Sequence, residues 1–415
     1  MSKSIIIIGG GIVGVCSAVA LQQAGHKVTL VDRKQPGRET SYGNAGVLCE
    51  SAVVVLNNPS LLKNLPKLLM SGSKGLRYSP LFVAKRLGWF IRFLAKCTPT
   101  KTRSAAMALR ALQLLSLETH KQWIKDAGVG HLLRQAGWLK VFRTDESYEA
   151  YSSELELMAE VGSKYTLFER DQIRQLEPGL KPIYRHAILM DDTCSISSPA
   201  DLTDAYMELF RAVGGVERCG NVSALTQNGS MWEVSLADGE KLTSDDVVVA
   251  AGAWSAEVAA WLGYDIPMAW ERGYHMHMEP GDGPGLTRAV HDVDGGFVMA
   301  PMRQGVRITS GVELVDRDAP KNFTQINQAV ADARMGYGMK GQLDDEAWMG
   351  RRPTLVDSLP IIGPAPKHSG LWFNFGHQHV GLSMGPGSGL AIAAMMNGDA
   401  PPLDVTPFNA KRFWF

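Results

Sequence analysis

The first 32 residues constrain the fold of this chain more than any other stretch. Ile5, Ile6, Ile7 and Ile8 form an unbroken β-branched run, the pattern of a strand buried on both faces of a parallel sheet. Gly9-Gly10-Gly11-Ile12-Val13-Gly14 follows at once, so that Gly9, Gly11 and Gly14 satisfy G-x-G-x-x-G. Val15 to Ala24 then reads as a helix closed by Gly25, and Lys27 to Val31 as a second strand ending in Asp32, the residue types that start and stop such elements. A bare glycine match is weak evidence. Strand, turn, helix, second strand and terminal acid in this order make a dinucleotide-binding unit. Gly9 makes the turn, Gly11 lets the backbone approach a pyrophosphate, and Gly14 lets helix and strand pack. Ile12 and Val13 place the helix N-terminus at the anion, Asp32 accepts from ribose hydroxyls, and Arg33 follows it at the same edge.

These residues do not choose between NAD and FAD. A plain NAD domain continues in regular strand-helix units. Here Gln35-Pro-Gly37 leads instead to Thr40-Ser41-Tyr42-Gly43-Asn44-Ala45-Gly46, a polar, glycine-rich segment without strand period that reads as a second ligand-lining loop.

Composition narrows the class. At roughly 150 residues per domain, 415 residues make about two to three domains. Lys+Arg and Asp+Glu are both 42, so no global charge points to nucleic acid. Cys16, Cys49, Cys97, Cys194 and Cys219 are odd in number and form no C-x-x-C, which argues against a disulfide framework, a zinc ribbon or a redox dithiol. The N-terminus is too short and glycine-broken for a signal-peptide core, so a reducing cytoplasmic setting is expected. No apolar run reaches the ~18 residues a spanning helix needs.

Further along, Pro199 to Val213 reads as a helix ended by Gly214-Gly215. Val222 to Thr226, Trp232 to Leu236 and Glu240 to Thr243 read as a three-stranded antiparallel meander with turns at Gln227 to Ser230 and Asp238-Gly239. Val247 to Ala250 is a buried strand suited to the sheet of Ile5 to Ile8, with Ala251-Gly252 touching cofactor. Gly296 to Pro301 and Val306 to Ser310 read as strands of a second sheet.

Gly9/Gly11/Gly14, Asp32, Ser41-x-x-Asn44-Ala45-Gly46, the meander, Val248-Val-Ala-Ala-Gly-Ala-Trp-Ser255, Arg352-Pro-x-x-x-Asp357-x-x-Pro360-x-Ile362-Gly363 and Gly376-His377-x-x-x-Gly381 together resemble the FAD-dependent D-amino acid oxidase/dehydrogenase family. The resemblance spans nearly the whole chain. Within that family it is most like the bacterial D-amino acid dehydrogenases, with glycine/sarcosine oxidases and hydroxyproline dehydrogenases as near relatives. It implies an α/β fold: a discontinuous Rossmann-like, glutathione-reductase-like FAD-binding domain from residues 1–50, 185–262 and 350–399, a mixed α+β substrate domain with an antiparallel sheet from 51–184 and 263–349, and a C-terminal tail, 400–415. It also implies non-covalent FAD and hydride transfer from an amino acid α-carbon to flavin N5. The imino acid is hydrolysed to a 2-oxo acid and ammonia, and electrons pass to a membrane quinone or another acceptor. A secondary amine such as hydroxyproline, sarcosine or glycine is the alternative substrate class. A flavin-binding sensor or membrane-docked partner without turnover is the alternative of another kind.

The resemblance assigns site residues. Arg352 takes the substrate carboxylate, for which a planar guanidinium offers paired donors; a surface ion pair is the competing role, and Arg351 suits it better. Arg272-Gly273-Tyr274 resembles a Lys/Arg-Gly-Tyr segment, so Tyr274 would bond the carboxylate with help from Arg272. His275 and His277 share one strand face and could ligate metal, but no third ligand is evident, and no metal is expected. His377 and His379 belong to the loop nearest the flavin ring, where Gln378 and His379 depart from the usual small residues. Gly381, Leu382 and Ser383 offer amides near the flavin pyrimidine, backed by a helix beginning near Gly387. Val222 joins Ala251 and Gly252 as a cofactor contact.

One segment is left over. Residues 51–117 hold eleven bases and no acid. On a helical wheel of about 100° per residue, Val83, Leu87, Phe90, Ile91 and Leu94 cluster as a core stripe. Phe82, Trp89 and Phe93 fall among Lys85, Arg86, Arg92 and Lys96. Aromatics mixed with cations suit an interfacial segment on anionic lipid, hence a peripheral position on the inner face of the cell membrane; the competing role is packing on the acidic remainder of the chain or on a partner subunit.

Overall fold

The computed structural model describes residues 2–50, 55–70 and 74–413. Ser4–Ile8 lies inside a six-stranded sheet between Lys27–Asp32 and Asp246–Val249, both parallel to it. Val216–Cys219 and Leu371–Phe375 extend the sheet on either side in parallel, and Ile361–Pro364 closes one edge antiparallel. Early, middle and late parts of the chain therefore build one sheet. All four isoleucines of the first strand are buried, which explains why no polar residue interrupts them. The meander forms from Val222–Asn228, Met231–Leu236 and Lys241–Ser244.

The helix Ile12–Gln23 packs on Gly381–Asn397. The latter starts six residues before the expected Gly387 and runs through Pro386. Its glycines read as a loop because glycine and proline disfavour helix locally. Their use is tertiary: a Cβ on Gly389 would lie 2.7 Å from the Cys16 carbonyl oxygen, and one on Gly387 2.5 Å from Ser116 Oγ.

An eleven-stranded, largely antiparallel sheet forms the second layer. Its long strand Met268–Pro280 pairs with Gly305–Thr309 and Trp348–Leu355, and Phe297–Met302, Ala289–Asp292, Trp138–Phe142 and His186–Met190 continue it. His186–Met190 and Trp348–Leu355 belong to this sheet, although the resemblance placed the first, and residues 350–355 of the second, in the nucleotide domain. Side chains alternate across a strand. Glu271, Gly273, His275 and His277 therefore share one face, and Trp270, Arg272 and Tyr274 the other. Through the registers Glu271↔Arg352, His277↔Arg307, His275↔Thr309, Val298↔Thr309 and His291↔Val298, the first face also carries Arg352, Arg307, Thr309, Val298 and His291. The C-terminal segment is anchored. Phe408 and Ala410 are fully buried, and Arg412 Nε bonds Asp357 Oδ2 at 2.7 Å.

The basic segment reverses the wheel expectation. Pro80–Lys85 and Leu87–Leu94 are separate helices meeting at Arg86. Phe82 and Phe93 are buried and Trp89 Nε1 donates to the Pro267 carbonyl at 2.9 Å, whereas Leu81, Leu87 and Ile91 are 63, 55 and 59% exposed. The larger aromatic surface is the one removed from water. Among the described residues, five of the segment's cations pair with acids from elsewhere: Lys74 with Asp332, Arg77 with Glu313, Lys85 with Asp316, Arg103 with Glu160 and Arg110 with Glu50. Residues 51–54 and 71–73 of this segment lie outside the described residues. No described helix is long and apolar enough to cross a membrane.

Candidate active site

A cavity of about 1060 Å³ runs between the two large sheets. One end is built from the fingerprint. Gly9, Gly11, Ile12 and Val13 line it, with Asp32 and Arg33 at the end of the second strand. Gly9 has φ +110°, a conformation only glycine adopts without strain. Gly14 does not line the cavity; its Cβ would stand 1.9 Å from the Gly9 carbonyl oxygen, so it serves close helix-strand packing. Asp32 Oδ2 accepts from Gly10 N at 2.6 Å and Oδ1 from Lys34 N at 2.9 Å. Burial pushes its carboxyl pKa up against these bonds. Each oxygen keeps a further lone pair for a ribose hydroxyl. Arg33 lies over the Trp254 ring at 3.9 Å and pairs with Glu39. Val222, Ala251 and Gly252 complete this end.

The loop after Thr40 forms the middle. Ser41 Oγ accepts from Ile12 N at 2.8 Å, tying the loop to the helix start. Asn44 bridges it internally, Nδ2 to Ser41 O and Oδ1 from Gly46 N. Ser41, Gly43, Asn44 and Ala45 line the cavity. Gly46 does not; with φ +69° it packs on the Ile196 carbonyl. Opposite, Gly381, Leu382 and Ser383 line the wall as the first turn of their helix, where amides lack intrahelical partners. His120 Nε2 bonds Leu382 O at 2.7 Å and holds that turn in place.

At the far end stands Arg352, desolvated and lowered in pKa by burial. Its guanidinium occupies the space a side chain at residue 273 would fill: a Cβ on Gly273 would be 2.3 Å from Nη2. Its one protein hydrogen bond among the described residues is a long one, Nη1 to Gly311 O at 3.3 Å. Beside it Glu271 is buried, with Oε1 accepting from Thr354 and Oε2 unpartnered. Burial raises the Glu271 pKa against the pull of Arg352. His377 and His379 both line the cavity. Burial lowers His377 to about 3, and burial with the Arg352 charge lowers His379 to about 4. His377 Nε2 donates to Ser388 Oγ, which donates to Met384 O, so His377 pins the loop to the helix. Gln378 between them holds φ +50° and bonds Pro353 O.

Arg272 and Tyr274 do not join Arg352. They lie on the opposite face of the sheet, where Arg272 Nε faces Glu313 at 3.1 Å and its Nη2 donates to Tyr274 Oη at 2.5 Å. Tyr274 Oη in turn donates to Glu313 at 2.7 Å. Gly273 and Tyr274 both line the cavity, but the Tyr274 hydroxyl is taken by Arg272 and Glu313, and it is Gly273 that meets the Arg352 guanidinium. The segment was recognised, but its two large side chains are spent on a buried ion cluster.

The chain matches the FAD dependent oxidoreductase family over residues 4–395. The chain belongs to the DAO family of FAD-dependent oxidoreductases. It is 30% identical to a D-amino-acid oxidase of Bradyrhizobium diazoefficiens over 99% of each chain, and 28% identical to D-amino acid dehydrogenase 2 of Mesorhizobium japonicum over 96% of this chain and 98% of that one. In fold it is similar to glycine oxidase from Geobacillus kaustophilus (TM-score 0.76, 20% identity, 99% of each chain) and to L-proline dehydrogenase from P. horikoshii (TM-score 0.76, 17% identity, 99 and 98%).

FAD is the cofactor, and the cavity suits it. The bare Gly9 to Gly11 turn and Asp32 receive a nucleotide. Among the described residues, the N–H groups of Gly43, Asn44 and Ala45 make no hydrogen bond although the three residues line the wall. A ligand rich in acceptors supplies what they lack. For this DAO-family chain several residues escaped sequence reading: Glu271, Trp138, His291 and Arg307. Trp138 and His291 stack at 5.9 Å on the cavity wall, with Trp138 Nε1 and His291 Nδ1 unpartnered. Burial and the Lys140 charge lower His291 to about 3. The available signal was a polar residue on the inward face of a strand, legible only once the faces are known.

Proposed function

We propose that this enzyme oxidises an amino acid, with a D-amino acid as the preferred substrate, to the imino acid, which water hydrolyses to a 2-oxo acid and ammonia. One observation carries this reading: a half-buried, desolvated arginine with an open donor fork stands at the far end of a cavity that begins at a nucleotide fingerprint. Bound FAD supplies the two-electron acceptor for the α-hydrogen, transferred as hydride. Arg352 receives the substrate carboxylate on its two terminal nitrogens, and the shallow floor at Gly273 leaves room for that plane. Substrate charge then offsets a guanidinium that Glu271 only partly balances. His379 and His291, neutral at pH 7, border the remaining substrate volume. They place no positive charge beside the amine, which favours a neutral amine with its lone pair free. The relatives' names support the D-amino acid assignment.

The test is anaerobic flavin bleaching with a panel of D-, L- and N-alkyl amino acids. Fastest bleaching by D-amino acids is expected. A clear preference for sarcosine, glycine or proline would overturn the substrate class.

We also propose a quinone acceptor, reached at an anionic membrane. Exposed Leu81, Leu87 and Ile91 stand near Arg92 and Lys96, which have no acidic partner among the described residues. Aliphatic side chains among free cations suit a headgroup boundary. Co-sedimentation with anionic vesicles, lost in Leu87→Ser/Ile91→Ser, is the expected outcome; no binding by the wild type removes the proposal.

A further inference from the structure

His275, His277 and Asp344 bring their ligand-type atoms within 4.8 Å of one another, an arrangement that invites a metal. The hydrogen bonds say otherwise. His277 Nδ1 donates to Asp344 at 2.9 Å, and its Nε2 accepts from Arg307 Nε at 3.0 Å, so both ring nitrogens are used and the cluster already contains a cation. Arg307 is buried, with no carboxylate within ion-pairing distance among the described residues. Its Nη1 donates to the carbonyls of Tyr42 at 2.9 Å and Asn44 at 2.7 Å. His275 Nδ1 bonds the intervening Gly43 carbonyl at 3.2 Å. Three successive carbonyls of the cavity-lining loop are thus held from below by two sheet residues. A Cβ at Gly43 would lie 1.9 Å from the Trp348 ring, so the loop rests directly on the aromatic floor, where Trp348 and His275 stack at 4.9 Å.

We propose that Asp344, His277 and Arg307, with His275 alongside, form a buried positioning relay that holds the carbonyls of residues 42–44 against the sheet and thereby turns the free amides of Gly43, Asn44 and Ala45 to FAD. Asp344 orients His277 and fixes its Nδ1–H tautomer, which leaves Nε2 as the acceptor that aims the Arg307 fork. The buried guanidinium then spends its charge on backbone carbonyls, which is why no acid stands against it. Burial and Arg307 keep His277 below its usual pKa, as an acceptor must be. These are positioning residues; none touches the substrate.

The experiment titrates apoprotein with FAD, following flavin fluorescence and the visible circular dichroism of the bound flavin, without any substrate. Arg307→Met should weaken FAD roughly ten- to a hundredfold, the range for losing charge-assisted bonds, and alter the dichroism. Arg307→Lys should recover part of this, since a point charge satisfies one carbonyl but not the fork. Asp344→Asn, at the cavity-remote and partly exposed end of the relay, should weaken FAD about threefold or more alone but add little in the Arg307→Lys background, the mark of coupled residues. This arm carries the test if Arg307→Met does not fold. Wild-type FAD affinity and dichroism in Arg307→Met or in Asp344→Asn, or effects that simply add, would overturn the relay. Because no substrate is present, failure here leaves the proposed reaction standing, and failure of the substrate panel leaves the relay standing.

Discussion

Arg352 shows how one residue depends on its neighbours' absences. Its fork is available because residue 273 has no side chain and because Glu271, beside it, is too buried to be an easy anion. Removing it should be selective. Arg352→Met is expected to keep bound FAD and yellow colour while losing roughly 3 to 5 kcal/mol of substrate interaction, a fall of about two to four orders of magnitude in kcat/KM for flavin reduction. Unchanged reduction kinetics would mean that another group holds the carboxylate. Gln378 makes a second residue-scale case. A non-glycine residue at φ +50° is strained, and such outliers gather at functional sites. Gln378→Ile should lower stability by about 1 to 2 kcal/mol, because a β-branched residue tolerates this region least, whereas Gln378→Gly should leave the melting temperature close to wild type. Equal melting of all three proteins would contradict the strain. Arg352 was legible in the sequence by its motif. Gln378 was visible there only as a departure from small residues, since a dihedral angle has no sequence signature outside glycine.

At the scale of elements, the helices Ile12–Gln23 and Gly381–Asn397 both begin at the cavity wall, so their mutual packing sets where two sets of free amides point. Gly389 allows this approach, with the Cys16 carbonyl where a Cβ would be. Gly389→Ala should cost about 1 to 3 kcal/mol by overpacking and reduce the FAD retained after gel filtration; full retention with unchanged melting would show that the helices have room. The first helix was readable because strand, glycines and acid constrain each other. The second was read six residues short, because its helicity is stabilised by burial rather than propensity. The Leu87–Leu94 helix failed differently. A wheel orders side chains around an axis correctly but cannot say which side the protein body lies on, and here the aromatic side faces inward.

For the whole molecule, burial of imidazoles sets the acid limit. His120 is lowered to about 4, His291 and His377 to about 3 and His275 to about 2, with desolvation the first cause in each. All lie below the ordinary 6.5, so the unfolded chain binds protons that the folded one refuses. The stability they contribute is complete above about pH 6.5 and is lost as pH falls from there toward 4. Each such group contributes a slope of about 1.4 kcal/mol per pH unit, and four together reach ~6, large against a total of roughly 5 to 15 kcal/mol. Glu271 and Asp292, raised by burial, bend the profile the other way without cancelling four histidines. The melting temperature should therefore drop steeply between pH 6.5 and 5, and His120→Gln should flatten that slope by about one proton. A level profile across this window would refute the assignment of neutral, buried rings.

What the sequence alone determined was the nucleotide half: the isoleucine run, the three glycines, Asp32 and the Ser41 to Gly46 loop are local patterns whose function follows from neighbours within a few residues. Only the tertiary structure decided the substrate half. Glu271, Arg307, His275 and His291 come from strands distant from the Arg352 motif along the chain, and whether each serves the cavity depends on register and strand face. Period two separates the faces but does not say which is inward, so the Arg272 and Tyr274 polar groups turn away from Arg352 and the bare Gly273 between them meets its guanidinium. The physical reason is that a one-residue step reverses a strand side chain, while the choice between the two directions is made by packing across the whole sheet.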